Sequence, residues 1–226
     1  VHRPVEVVIP FKLEGAKSRL SPILTQEERM SFAISMLRDV LASTTKYGCP
    51  TILARSPAVQ ACRISDLLAQ LSFREVRTPL GLNDALNCVI EKAAGDGWHS
   101  DLLIVMSDLA LIKESDILGM VSAIGDVVLS PGRGGGTNLI LIRNPSFRTQ
   151  YTGHSFSKHL AVASAMGLQV GEYSSFRTAF DMDEPDDLAE ILIHGDGESR
   201  SFLLSKGFSL SNESGRASCR RVSVDE

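Results

Sequence analysis

VEVVIPFKLEGAKSRL, residues 5–20, is the stretch on which the fold turns. Val5 to Phe11 is β-branched and apolar, which suits a strand in the middle of a sheet. A polar loop follows, with Lys12, Lys17 and Arg19 close together and Gly15 and Ser18 between them. Then comes TQEERMSFAISMLRDVL, where Thr25 and Glu28 have the spacing of a capping box. Met30, Ala33, Leu37, Val40 and Leu41 fall on one helical face. A buried strand, a cationic loop and an amphipathic helix make one β–α unit.

The rest of the chain repeats that alternation. Strands are predicted at 51–54, 74–78, 101–106, 127–129 and 139–142, with a weak one near 169–173. Helices are predicted at 59–71, 83–94, 115–124 and 156–166, and from Glu184-Pro185 to Ile193. A short helix is expected at 202–206. Strands alternating with helices give an α/β class, with a mostly parallel sheet and helices on both faces. No linker divides the chain, so one domain is expected over residues 1–208. Residues 209–226 are serine-rich and carry charges of both signs, and read as a mobile tail.

Composition narrows the function. The formal net charge is −4, the opposite of the basic surplus of a nucleic-acid binder. No apolar run approaches the ~20 residues of a membrane span. Pro10, Lys12 and Glu14 interrupt the first apolar stretch, so it reads as a strand and not as a signal segment. Cys49, Cys62, Cys88 and Cys219 form no CxxC pair, which gives zinc and dithiol readings little support and suits a reduced, cytoplasmic protein.

Ligands of open α/β sheets sit outside the carboxyl ends of the strands. After the first strand, Lys12, Lys17, Ser18 and Arg19 suit a polyphosphate, or else a solvated surface loop. After the third, Gly81 permits close backbone approach, and Asn83 either caps a helix or reads a base or ribose. Asp108 follows the very apolar DLLIVM and could hold Mg²⁺ or cap a turn. In FDMDEPDDL, Asp181 and Asp183 flank Met182, so an extended backbone turns both carboxylates the same way. A divalent cation would relieve their repulsion; the alternative is that Asp183 or Glu184 caps the next helix.

SPGRGGGTNLILI, residues 130–142, places a bare backbone between two strands. Its glycine N–H groups could close on an anion, with Arg133 for charge and Thr137 for a hydroxyl. The alternative is a hairpin turn, although three glycines exceed what a tight turn needs. Thr152, Gly153 and Ser155 lie where a helix begins, and helix N-termini attract anions. His154 and His159 read as surface or supporting residues.

IPFKLEGAKSRL, GLNDALN, MSDLALI, SPGRGGGTNLILI, YTGHSF and FDMDEPDDL occur in that order. In this the chain resembles the 2-phospho-L-lactate guanylyltransferase family of coenzyme F-420 biosynthesis, across about residues 4–193. The resemblance implies a single-domain, Rossmann-like fold of the nucleotide-diphospho-sugar-transferase type, related to molybdenum cofactor guanylyltransferase. It implies transfer of GMP from GTP to 2-phospho-L-lactate, with pyrophosphate released. Relatives use phosphoenolpyruvate or 3-phosphoglycerate.

By the same resemblance, Lys12, Lys17, Ser18 and Arg19 would hold the triphosphate, with Gly81 and Asn83 near guanosine. Asp108, Lys17 and Arg19 would act at the reacting phosphate. Asp108, Asp181 and Asp183 would hold Mg²⁺. Arg133, Gly135, Gly136, Thr137, Asn138, Thr152 and Ser155 would hold the acceptor. A homodimer is expected. The family's Phe-Gly-x-x-Ser reads here Tyr151-Thr152-Gly153-His154-Ser155, and its Asp-Leu-Pro reads Asp108-Leu109-Ala110. Another nucleotidyltransferase of the same fold, or a catalytically silent nucleotide-binding protein, are the competing readings.

Overall fold

The computed structural model describes residues 3–55, 68, 71–211 and 218–221. Its main sheet contains β1 (Val5–Phe11), β2 (Thr51–Arg55), β3 (Arg74–Thr78), β4 (Asp101–Val105), β5 (Val127–Pro131), β6 (Thr137–Ile142) and β7 (Val170–Glu172). The strand order is β3-β2-β1-β4-β6-β5-β7. Neighbours pair in parallel except along β6, which is antiparallel to both β4 and β5. The sheet is therefore mixed and mostly parallel, as the sequence implies.

Helices cover both faces. Val7, Ile9 and Phe11 of β1 turn to one side, under α1 (Gln26–Thr44), α3 (Glu114–Ser122), α6 (Asp187–His194) and α7 (Glu198–Ser205). Val8 turns to the other, under α2 (Leu82–Gly95) and α4 (Ser155–Ala165). The period-2 alternation explains why β1, β4 and β6 look apolar throughout: each strand feeds two cores. The Thr25–Glu28 capping box forms, with bonds of 3.0 and 3.2 Å.

Four local expectations change. The last helix opens at Glu198, ahead of the expected 202, because the Asp39 carboxylate on α1 accepts the Glu198 and Ser199 N–H groups at 2.7 and 3.0 Å. Pro185 is not a first helical residue: α6 starts at Asp187, after a turn closed by Asp187 N–H to the Glu184 carbonyl. The expected mobile tail is structured where described. β8 (Phe208–Ser211) pairs antiparallel with β9 (Ser218–Arg221), Phe208 is buried, and Arg221 donates to Glu28 at 2.7 and 3.1 Å. A short helix, α5 (Phe176–Ala179), forms where none was expected. The expected helix at 59–71 lies largely outside the described residues.

Candidate functional site

The chain runs β1, β2, β3 outward in one direction, then returns to place β4 on the other side of β1. The loops after β1 and β4 thus diverge from adjacent strands, which opens a crevice at the switch point. Lys17 comes from the first loop and Asp108 from the second. Lys17 has a left-handed backbone, φ 52°, an unusual conformation for a side-chain-bearing residue. Its ammonium donates to Asp108 Oδ2 at 2.8 Å and to Asp183 Oδ1 at 2.6 Å. Burial works against the charged amine, but Asp108 and Asp183 outweigh it and hold the pKa above its ordinary value.

Met182 is fully buried, while Asp181 and Asp183 are half-buried on either side of it, the arrangement that their spacing predicts. Burial first, and then the charge of Asp108 and Asp183, push the Asp181 pKa up. Asp108 Oδ1 is buried and has no hydrogen-bond partner. Among the described residues no three His, Cys, Asp or Glu side chains converge as a formed metal centre. The carboxylates are gathered around an ammonium instead. Arg19 is exposed, 3.9 Å from Asp183 and 3.7 Å from Glu184. Lys12 and Ser18 are exposed on the same loop.

The glycine-rich segment is a hairpin between β5 and β6. Gly132 N–H donates to the Gly136 carbonyl at 2.9 Å, and Gly135 N–H to the Gly132 carbonyl at 3.0 Å. Gly135 needs glycine for its φ of 79°. Gly134 and Gly136 do not need it for packing, since an added Cβ would meet nothing within 4 Å. The loop rests on the start of α4, where Phe156 N–H donates to the Gly135 carbonyl at 3.2 Å. Thr137 and Ser155 meet there, with their hydroxyls 3.2 Å apart.

Other expected residues are placed differently. Asn138, next to Thr137, points the opposite way, and its amide donates to the Thr178 carbonyl at 2.9 Å. Arg133 pairs with the buried carboxylate of Asp187 and lies over the Phe180 ring, 4.6 Å from its centre. Thr152 is exposed and accepts from Lys158 at 2.7 Å. Asn83 is not the helix cap; Gly81 holds that position. The Asn83 carbonyl instead accepts Tyr151 N–H at 2.6 Å.

Several organising residues carry no obvious signal in the sequence. Asp187 accepts Asp183 and Glu184 N–H at 3.0 and 2.8 Å while holding Arg133, so one buried carboxylate anchors the acidic turn and the glycine hairpin. Asn87 accepts Thr149 N–H at 2.8 Å, and His159 accepts Gln150 N–H at 2.8 Å. With Asn83, these side chains take three successive N–H groups and fix the strand of chain leading to Thr152 and Ser155. Asp116 is fully buried; its burial cost is outweighed by Arg177, Lys113 N–H and Ser175, which hold its pKa down. It pins the segment that runs into Asp181. In the sequence Asn87, Asp116 and Asp187 look like ordinary polar residues of helices, because their partners Thr149, Arg177 and Arg133 are 54 to 62 residues away.

The site therefore has two halves. One is a cation-bridged set of carboxylates at the switch point. The other is a glycine hairpin, two hydroxyls and a helix N-terminus, a setting that favours an anion.

Comparisons agree with this architecture. A nucleotide-diphospho-sugar transferase candidate from Desulfovibrio desulfuricans G20 superposes with a TM-score of 0.74 over 90% of this chain and 95% of its own, at 14% identity. The inositol-1-phosphate CTP transferase from T. maritima gives 0.57 over 90% and 98%, at 9% identity. At the sequence level, 2-phospho-L-lactate guanylyltransferase of Methanothrix thermoacetophila is 47% identical over 99% of both chains. The protein of the same name from Methanosarcina barkeri is 40% identical over 94% of this chain and 97% of its own. Residues 5–225 match the family described as guanylyl transferase CofC like, and the chain belongs to that family.

Proposed function

We propose that the protein transfers GMP from GTP to the phosphate of 2-phospho-L-lactate, giving lactyl-2-diphospho-5′-guanosine and pyrophosphate. The observation that carries this reading is the Lys17 ammonium set between Asp108 and Asp183 at the switch point. The shared name of the full-length relatives supports the choice of nucleotide and acceptor.

In the reaction, an acceptor phosphate oxygen attacks the α-phosphorus of GTP. A new P–O–P link forms and the bond to the β-phosphate breaks, with the electron pair leaving on pyrophosphate. The attacking phosphate is already ionised at neutral pH, so no general base is required. That agrees with His159, whose ring meets Thr137, being fully buried, with burial pushing its pKa down to about 4. The protein's work is positioning and electrostatics. Lys17 and Arg19 supply positive charge at the transferring phosphate, and Lys12 and Ser18 extend that surface. The hairpin, Thr137 and Ser155 hold the acceptor.

Magnesium belongs to the same proposal. Asp108, Asp181 and Asp183 fit it by chemistry: all offer hard oxygen donors. A divalent cation would give the unpartnered Asp108 Oδ1 a partner, and it would offset the burial and the neighbouring charges of Asp108 and Asp183 that push the Asp181 pKa up. When bound, the ion would neutralise charge on the α-phosphate and orient in-line attack. A homodimer and a cytoplasmic location are further parts of the proposal, carried by the family resemblance. Among the described residues no helix is long and apolar enough to cross a membrane.

Pyrophosphate release with GTP, Mg²⁺ and each phospho-acid in turn tests the reading. Release with 2-phospho-L-lactate and none without an acceptor is expected.

A further inference from the structure

The reaction above makes no direct use of His159, yet its ring is fully buried against Thr137. Two bonds define its state. Nε2 lies 2.8 Å from the Gln150 backbone nitrogen, and Nδ1 lies 2.8 Å from Thr137 Oγ1. A backbone N–H can only donate, so Nε2 must be the unprotonated nitrogen. In the neutral ring the proton then sits on Nδ1, which donates to Thr137. The ring cannot turn over freely, since Tyr151 packs edge-on against it at 4.9 Å and Phe147 lies at 6.0 Å.

This fixes the proton count of the neighbouring hydroxyls. Thr137 and Ser155 have one O–H each, and their mutual bond uses one. Because His159 donates to Thr137 and takes nothing from the pair, the second O–H is left over, whichever hydroxyl donates to the other. With the opposite tautomer, Thr137 would donate to the ring, Ser155 would donate to Thr137, and no O–H would remain. Ser155 and His159 are one helical turn apart on α4, so the same face supplies both the hydroxyl and the residue that sets its direction.

We infer that His159 is a positioning residue that locks the Thr137–Ser155 pair as a hydrogen-bond donor toward the anionic group of the phospho-acid. This rests on the acceptor role proposed above for Thr137 and Ser155. It assigns His159 no part in proton transfer.

The test uses the full chain and two readouts. A long-range ¹H–¹⁵N spectrum of histidine-labelled protein reports which ring nitrogen is protonated, with the His159 signal assigned by its loss in His159→Asn. Protonation at Nδ1 is expected; protonation at Nε2 would overturn the inference. Steady-state kinetics then separates two variants. In His159→Asn, the amide nitrogen can take the place of Nδ1 and still donate to Thr137. In His159→Gln, the longer side chain reaches toward Gln150 and leaves Thr137 without its donor, so the spare O–H is no longer held in one direction.

His159→Asn is expected to keep the KM for 2-phospho-L-lactate within about threefold, while His159→Gln raises it by about tenfold or more, with the KM for GTP moved less than about twofold in both. Thr137→Val should match His159→Gln. Equal changes in both KM values, or no difference between the Asn and Gln variants, would make His159 a merely structural residue. If the unaltered protein transfers GMP to none of the phospho-acids, the functional reading fails, and the nitrogen spectrum still decides the tautomer.

Discussion

Lys17 Nζ stands 2.6 Å from Asp183 Oδ1, joining residues from opposite ends of the chain at the mouth of the sheet. The same amine reaches Asp108, so a lysine occupies the position between carboxylates where a cation is needed. Lys17→Met should lower kcat by about a hundredfold or more, since a buried positive charge aimed at developing negative charge is lost. It should also tighten Mn²⁺ binding in the absence of nucleotide, because the competing ammonium is gone. Titration of the Mn²⁺ electron paramagnetic signal checks this; weaker Mn²⁺ binding in the variant would show that Lys17 assembles the carboxylates and does not compete for them.

Asp187 couples the two halves of the site. Asp187→Asn removes the charge that holds Arg133 and weakens acceptance of the Asp183 and Glu184 N–H groups. Asp187 is buried but Arg133 is largely exposed, so most of the loss comes from the two weakened N–H bonds and should be about 1–2 kcal/mol. Urea unfolding should register that loss. Activity should fall through both substrates, with KM rising for GTP and for the acceptor. Arg133→Ala, which removes the more exposed partner, should raise mainly the acceptor KM.

The fold was largely legible because strong apolar periodicity marks β1, β4, β6 and α1. The Asp181–Met182–Asp183 alternation also places its side chains as the sequence implies. Local patterns fail where a tertiary partner decides. The start of α7 is set by Asp39, a residue on another helix. Serine-rich residues 209–211 and 218–221 look disordered by composition, but they pair with each other, cover Phe208 and tie back to Glu28. Asn138 reads as part of the acceptor loop, yet strand alternation turns it away from Thr137 toward Thr178. The sequence marks His159 as a supporting residue but does not show that Thr137, 22 residues away, is its partner, and the pairing of Asp187 with Arg133 spans 54 residues.

The glycines of the hairpin make separable demands. Gly135→Ala should destabilise the fold by about 1 kcal/mol or more, because its φ of 79° is unfavourable for alanine. Gly136→Ala has space for its methyl group and should leave the melting temperature nearly unchanged. If the bare backbone serves the acceptor, Gly136→Ala will still raise the acceptor KM. Thermal unfolding paired with kinetics of both variants distinguishes turn from ligand contact.

Burial pushes the His159 pKa down to about 4 from an ordinary 6.5. The neutral ring is therefore favoured in the folded state. Between those two values the unfolded chain binds more protons, so stability falls as pH drops through this window. The loss from this group approaches about 3 kcal/mol below pH 4. Urea unfolding across that range should show the slope in the native sequence and a shallower one in His159→Asn. Identical slopes would mean that His159 protonates without cost to the fold.

Pyrophosphate release from GTP and Mg²⁺, with 2-phospho-L-lactate, phosphoenolpyruvate or 3-phosphoglycerate each offered separately, decides whether the chain is a phospholactate guanylyltransferase. Release should depend on the acceptor, be fastest with 2-phospho-L-lactate, and yield a guanylylated product. Folded protein that binds GTP but releases no pyrophosphate with any of the three would contradict that function.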